Sequence, residues 1–184
     1  MPGKDYYVEQ RLAETLIELL DTKPLDEISV RELCDAAGVG RASFYRHFQC
    51  KEDILERHAR SLIEKWAAAF ESSPDSRPWN VFESLFHFIK EHQAFYETLH
   101  KTGRDGVLRA AIRTRMGLTD DLANEDVYQK AFFSDGISGW IEEWIDRGMQ
   151  ETPDELNRQL GRYFTQVLPV LGKLYTSASS NPVD

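Results

Sequence analysis

The sequence has little that would support covalent cross-linking, secretion or a membrane span. Only two cysteines occur among its 184 residues, Cys34 and Cys50, and they have no spacing typical of a metal site. No apolar run approaches the roughly 18 residues that a transmembrane helix needs. The first residues also lack the apolar core of a signal peptide. These absences argue against a disulfide-rich secreted domain and predict a cytoplasmic protein that does not contact the membrane.

Positive charge is scarce as well. Lysine and arginine number 22 against 31 acidic residues, which gives a net charge of -9. No broad basic field therefore attracts the whole molecule to nucleic acid or to an anionic membrane. The sequence also lacks a glycine-rich phosphate loop, a nucleophile elbow and a Cys/His pair at a recognisable spacing. It predicts no enzyme and no cofactor.

What the sequence does contain is helical periodicity along almost its whole length. The first apolar stripe ends near Pro24, and a capping box from Ser29 to Glu32 begins a second, short helix that stops at Gly38. A third short helix follows Gly40, and longer helical patterns occupy the rest of the chain. No strand pattern or internal repeat is evident. The sequence therefore predicts an all-α protein.

The third helix combines aromatic and basic side chains. At 100° per residue, Phe44 and Phe48 share one face, which we expect to point inward. Two short helices joined by a three-residue turn have the spacing of a helix-turn-helix. A surface helix with merely solvated charges is the alternative. The outer positions of the third helix are occupied by Arg41, Ala42, Ser43, Tyr45, Arg46 and His47.

The segment ISVRELCDAAGVGRASFYRHFQCKEDIL resembles the DNA-binding segment of the TetR family of bacterial transcription regulators, over roughly residues 12–55. The resemblance implies a three-helix helix-turn-helix domain in residues 1–50 and a helical ligand-sensing and dimerisation domain in residues 51–184. Its implied function is a repressor that binds an operator in double-stranded DNA as a homodimer and is released by a small inducer. An activator controlled by a protein partner is the alternative. The sequence departs from the family at two helix starts, where Gly40 and Cys50 replace the usual capping side chains.

The resemblance also implies individual DNA contacts. Arg41 is the leading base reader, because a guanidinium pairs with two acceptors of guanine. Ser29 would contact phosphate at the start of the second helix. Ala42 and Ser43 would face base edges. The predicted phosphate contacts are completed by Tyr45, His47 and Lys51.

The later helices are rich in aromatic residues. In the family, this region encloses the inducer, so the resemblance implies a pocket, although aromatic residues at helical spacing are also typical of an ordinary core. The predicted pocket residues are Trp66, Phe86, Phe95, Tyr96 and Phe133. Two helices that are apolar on more than one side predict a dimer surface, with an internal core as the alternative. The predicted dimer residues are Trp140, Trp144, Phe164 and Leu168.

The histidines of this region do not have the pattern of a metal site. His87, Glu91 and His92 lie close in sequence, but His92 is 140° further round a helix than His87. No third histidine or cysteine ligand is evident, so the sequence predicts no metal.

Overall fold

The computed structural model describes residues 4–119, 121–167 and 169–170. These residues form helices and turns and contain no strand, which confirms the predicted all-α class. Within them, no helix is long and apolar enough to cross a membrane. The helices are α1 (Lys4–Leu20), α2 (Val30–Ala37), α3 (Arg41–His47), α4 (Lys51–Ser72), α5 (Val81–Glu91), α6 (Gln93–Lys101), α7 (Gly106–Arg115), α8 (Asn124–Asp146) and α9 (Pro153–Arg162), which continues into a π-helical turn, Tyr163–Val167.

The ends of α2 follow from its flanking residues. Ser29 Oγ accepts a hydrogen bond from the amide of Glu32 at 3.1 Å, and Gly38 ends the helix at a φ of 67°, which glycine adopts without strain. The predicted capping box is only half formed, because the Glu32 carboxylate pairs with Lys23. The hydrogen bond from Lys23 also holds the pKa of Glu32 below its usual value.

The capping box of α9 is complete. Thr152 Oγ1 accepts from the amide of Glu155 at 3.2 Å, and the Glu155 carboxylate accepts from the amide of Thr152 at 2.9 Å. Pro153 occupies the first helical position, where its missing N–H leaves no hydrogen bond unmade. The start of α9 is therefore fixed by its own sequence.

Buried apolar side chains from all nine helices form one continuous core within the described residues. Helix α1 packs against α2, α3, α4 and α6, while α4 packs along α7, α7 along α8, and α5 along α9. The start of α4 coincides with the predicted domain boundary, yet the core continues across it. A division into residues 1–50 and 51–184 therefore stays a prediction.

Candidate nucleic-acid interface

Helix α3 is held in place by its two phenylalanines. Phe44 is fully buried and Phe48 is 3% exposed, and their ring centroids lie 5.9 Å apart. A helix of seven residues is not stable in isolation, so its position depends on this burial. The turn from α2 is fixed by Gly38 and by the amide of Val39, which donates to Cys34 O at 2.9 Å. The predicted inward face of α3 is thus confirmed.

The opposite side of α3 is open to solvent. Arg41, Ala42 and Arg46 are exposed, and Tyr45 is 62% exposed. The Tyr45 ring stands edge-on to Phe44, with a centroid distance of 5.1 Å and an interplanar angle of 87°. The core thereby supports the tyrosine from below and leaves its outer edge accessible. This side offers a guanidinium, a phenol and a small side chain that lets another surface approach closely.

Three further predicted residues are engaged within the protein. Ser43 Oγ accepts from Arg46 Nη2 at 3.0 Å, a contact between residues three positions apart on the helix. The His47 side chain is only 9% exposed, and its Nδ1 lies 3.3 Å from Glu9 Oε1 on α1. Ser29 is exposed, but its hydroxyl serves as the cap of α2.

Lys51 also turns toward the protein. Its Nζ donates to Leu25 O at 2.6 Å and to Ile28 O, which lie in the connection between α1 and α2. The ammonium group that was expected to face phosphate thus donates to two backbone carbonyls from an earlier part of the chain. Both side chains, Lys51 and His47, hold the N-terminal helices together in this structure, and their role as phosphate contacts stays a prediction.

The start of α4 contains contacts that the sequence did not reveal. Cys50 makes no side-chain cap, and Asp53 Oδ2 accepts from the Gln49 amide at 3.2 Å instead. Arg57 lies over the Phe48 ring at 5.1 Å from its centroid and pairs with Glu9 at 3.7 Å. The positive charge of Arg57 is therefore neutralised beside α1. Of the basic residues near α3, Arg41 and Arg46 remain the exposed ones on the helix itself.

The predicted pocket residues do not surround one cavity. Phe86 is fully buried and packs edge-on against Trp144, at a centroid distance of 6.1 Å. Phe95 and Tyr96 lie on the buried side of α6, and burial raises the pKa of Tyr96. Phe133 is 47% exposed on α8. Trp66 lines a groove between α4 and α5, whereas Tyr96 borders a separate small cavity beside α7 and α8, so the packing separates these residues.

Among the described residues, grooves or cavities lie on both sides of α4. A groove of about 380 Å³ between α4 and α5 is lined by Trp66, whose Nε1 donates to Ser84 Oγ at 3.1 Å. A cavity of about 290 Å³ lies beside α1 and α4, and its wall includes His58, Lys65 and His92. The second cavity depends on how α1 packs against α4, which no local sequence pattern records.

The predicted dimer residues also divide into separate groups. Trp144 is 2% exposed within its own chain, and its Nε1 donates to Glu151 O at 3.2 Å. Its assignment to a dimer surface was wrong, because the ring is enclosed by the core of the same subunit. Trp140 and Phe164 are half-buried, and Leu168 lies outside the described residues. The sequence reasoning missed two exposed rings on α8, Tyr128 and Phe132, which are 68% and 62% exposed.

Comparison with known families covers both halves of the chain. Residues 12–57 match the family described as bacterial regulatory proteins, tetR family. Residues 77–166 match the family described as transcriptional regulator C-terminal region. The first match contains α2, α3 and the exposed side of α3, and the second contains α5 to α9.

Individual relatives match over part of their length. The HTH-type transcriptional regulator EthR of Mycolicibacterium smegmatis is 36% identical over 70 residues, which are 38% of this chain and 32% of that protein. The uncharacterized HTH-type transcriptional regulator YxbF of Bacillus subtilis is 27% identical over 103 residues, 52% of this chain and 27% of its own. The chain thus spans about a third or less of the length of these curated relatives.

Solved structures share the fold at low sequence identity. Lin0861 of Listeria innocua is 17% identical, with a TM-score of 0.74 over 90% of this chain and 94% of that one. The dihydroxyacetone kinase operon activator DhaS is 17% identical, with a TM-score of 0.57 over 89% and 97%. A TetR transcriptional regulator from Rhodococcus sp. RHA1 is 16% identical, with a TM-score of 0.56 over 90% and 100%.

Proposed function

We propose that this chain, which belongs to the TetR family of bacterial regulatory proteins, binds operator DNA through the exposed side of α3. The observation that carries the proposal is the two-sided character of this helix. Phe44 and Phe48 fix it from within, while Arg41, Ala42 and Tyr45 are exposed along its outer side. A rigid helix with an accessible guanidinium near its N-terminus suits the major groove of DNA.

The exposed side chains of α3 would have two roles: some would contact bases, and others would contact phosphates and so position the helix on the DNA. Arg41 opens the helix and would pair with guanine, while Ala42 would let the backbone approach the base edges. Tyr45 lies one turn further on, where its hydroxyl would donate to a phosphate oxygen. Arg46 points away from the core and would add a second phosphate contact. Because the net charge is -9, binding would depend on these local contacts rather than on the field of the whole molecule.

Gel retardation with the promoter DNA of the protein's own gene tests this assignment. We expect Arg41→Ala to weaken binding by about 5- to 150-fold, since a good base contact is worth about 1–3 kcal/mol, and Tyr45→Ala to weaken it by about tenfold. Arg158→Ala is the matched control, because it removes the same charge from an exposed position on α9. If the α3 variants bind like the wild type, or if the control loses as much affinity, the reading side lies elsewhere.

We further propose that two chains pair through the exposed side of α8. One helix-turn-helix contacts few base pairs, and a two-fold dimer spans two half-sites about one DNA turn apart. Tyr128, Phe132 and Phe133 form an exposed aromatic patch at the N-terminal half of this helix. Gly136 and Gly139 continue along the exposed side and would allow a second helix to approach closely. This surface supports a homodimer without the predicted contribution of Trp144.

Release of the operator by a small inducer remains our proposal for regulation, with repression as the ground state. The groove beside Trp66, the cavity beside α1 and α4, and a groove of about 450 Å³ beside Trp140 are among the spaces that the described residues offer such a ligand. A ligand that shifted α4 would move α3, because α4 begins directly after it and packs against α1.

An activator controlled by a protein partner is the second candidate. It is favoured by the close packing of Phe86, Phe95 and Tyr96, which leaves the predicted pocket filled. Among the similar structures, DhaS is described as an operon activator. Thermal-shift screening of small metabolites separates the two candidates, because a ligand of the native state raises its melting temperature. Inducers that also release the operator support the first candidate, while a protein captured by the intact chain that alters DNA affinity supports the second.

A further inference from the structure

Outside the proposed DNA surface, α5 and α9 bring together three side chains of metal-ligating type. Glu83 and His87 lie four residues apart on α5, so they share one face of the helix. Asp154 projects from the first turn of α9 onto the same place. One ligand atom from each residue lies within 4.8 Å of the other two. His87 Nε2 and Asp154 Oδ1 are 2.8 Å apart.

We propose that Glu83, His87 and Asp154 bind a divalent first-row transition ion of the Zn²⁺ type. One imidazole nitrogen with two carboxylates is a donor set that such ions accept, whereas Ca²⁺ and Mg²⁺ prefer oxygen ligands alone. Binding would replace the contact between His87 and Asp154 with a shared ion and would need only small side-chain movements. Three protein ligands leave a coordination position for water, which the exposure of His87 and Asp154 permits.

The surroundings of the three groups favour a cation. Among the described residues, neither Glu83 nor Asp154 forms an ion pair with a lysine or an arginine, and Asp154 contacts His87. Asn157 Nδ2 donates to Glu83 Oε2 at 3.0 Å. This amide holds the carboxylate toward α9, as an outer hydrogen bond does for a metal ligand. The positive end of the α9 dipole opposes a cation, so we expect moderate rather than very tight binding.

The sequence did not reveal this group because its third member lies 67 residues from His87. His92, the histidine nearest to His87 in sequence, is engaged elsewhere. Its Nδ1 lies 2.9 Å from Phe88 O, and its ring stacks on Phe88 at a centroid distance of 4.2 Å. An ion at the proposed site would join α5 to α9, which already pack along each other.

Titration of the intact, metal-free protein with Zn²⁺ in a calorimeter tests the site. We expect saturable binding at one ion per chain and a rise in melting temperature with Zn²⁺ concentration. His87→Ala, Glu83→Gln and Asp154→Asn should each weaken binding by at least about tenfold, and Asn157→Ala by a smaller factor. Glu91→Gln is the matched control, because this exposed carboxylate also lies four residues from His87.

Cobalt provides an independent readout of the ligands. Co²⁺ bound through the imidazole of His87 should give visible absorption that His87→Ala abolishes and Glu91→Gln preserves. The proposal is overturned if Zn²⁺ does not bind, if binding survives His87→Ala and Asp154→Asn, or if Glu91→Gln weakens it as much as Glu83→Gln does. Circular dichroism of each variant excludes loss of helical structure as the cause.

Discussion

Helices α3 and α8 both expose aromatic rings above a buried face, but the rings have different neighbours. Tyr45 on α3 is 62% exposed and lies among Arg41 and Arg46. Phe132 on α8 is also 62% exposed, but it is followed by Phe133 and, one turn later, by Gly136. A ring beside guanidinium groups suits an anionic, polar partner, whereas rings beside glycines suit an apolar surface at close range. The neighbours of an exposed ring, rather than its exposure, indicate its partner.

The two helices also differ in what holds them. Helix α3 is seven residues long and depends on two phenylalanines, while α8 has 23 residues and several inward-facing side chains. A single change beneath α3 should therefore disturb more than a single change on the outside of α8.

The largest effect is expected from Phe44→Ala. Removal of this fully buried ring should lower the free energy of unfolding by about 3–5 kcal/mol, because a cavity replaces the contacts that anchor α3. Tyr45→Ala, at the adjacent exposed position, should change stability by less than about 0.5 kcal/mol while it weakens DNA binding by about tenfold. Urea unfolding of both variants measures the loss of stability, and gel retardation measures the loss of DNA affinity. Equal stability losses in the two variants would contradict the division of α3 into an inner and an outer side.

A smaller but selective effect is expected from Phe132→Asp. A carboxylate placed in the aromatic patch of α8 should weaken dimerisation by at least about 100-fold, or roughly 2.7 kcal/mol, because it would have to be desolvated in an apolar contact. Helix content should not change, since this side chain is mostly exposed within its own chain.

Sedimentation equilibrium measures the loss directly. Tyr7→Asp is the matched control, because it introduces the same charge at an aromatic residue that is 65% exposed on α1. A Phe132→Asp protein that remains dimeric would place the dimer contact on another surface.

The two helices show what the sequence alone could predict. The faces of α3 were predictable because they depend on the period of one short helix: Phe44 and Phe48 are four residues apart, and both are buried. In α8, apolar residues occur on several sides, so periodicity could not decide whether Trp144 or Phe132 faces the core. That choice depends on the packing of α8 against α6 and α7, which is not local.

Contacts between distant parts of the chain also determine the positions of Lys51 and His47. The partners of Lys51 are carbonyl groups 23 and 26 residues earlier in the chain, and His47 meets Glu9 on α1. The sequence shows that these side chains are basic, but contacts with distant residues decide which way each of them points. The capping box at Thr152 is complete because no distant group competes for Glu155, whereas the predicted box at Ser29 is half formed because Lys23 binds the Glu32 carboxylate.

A pH experiment tests whether the two regions unfold together. Burial lowers the pKa of His58 on α4 to about 4, below the value near 6.5 of an unfolded histidine. The native state therefore has its full stability from this group above about pH 6.5 and loses it progressively as the pH falls toward 4. We expect a loss of about 3 kcal/mol by pH 4, which His58→Gln removes.

The readouts of this experiment come from different regions. All four tryptophans lie in residues 66–144, so their fluorescence reports on the helices beyond α3, while DNA binding reports on α3 itself. Because one core joins both regions, we expect the two signals to disappear at the same pH. If DNA binding is lost well above the pH of the fluorescence change, α3 unfolds separately from α8.

The smallest effect, and one of opposite sign, is expected at the C-terminal end of α8. His100 Nδ1 lies 2.9 Å from Asp105, and its Nε2 lies 3.1 Å from Asp146, the last residue of α8. The hydrogen bond to Asp105 and the second one to Asp146 raise the pKa of His100. Its contribution to stability is therefore present below about pH 6.5 and disappears as the pH rises through the raised value. Because the side chain is partly exposed, we expect less than about 1 kcal/mol.

His100→Gln isolates this contribution when urea unfolding is measured from pH 5.5 to pH 8. The stability advantage of the wild type over His100→Gln should shrink as the pH rises. For His58→Gln the trend is opposite: the wild type should lose stability relative to the variant as the pH falls. An ion pair at the end of α8 would then add to apolar packing that already fixes the helix, as the contact between His47 and Glu9 adds to the two phenylalanines beneath α3. A His100→Gln difference that does not vary with pH would show that the carboxylates on either side of the ring act by hydrogen bonding alone.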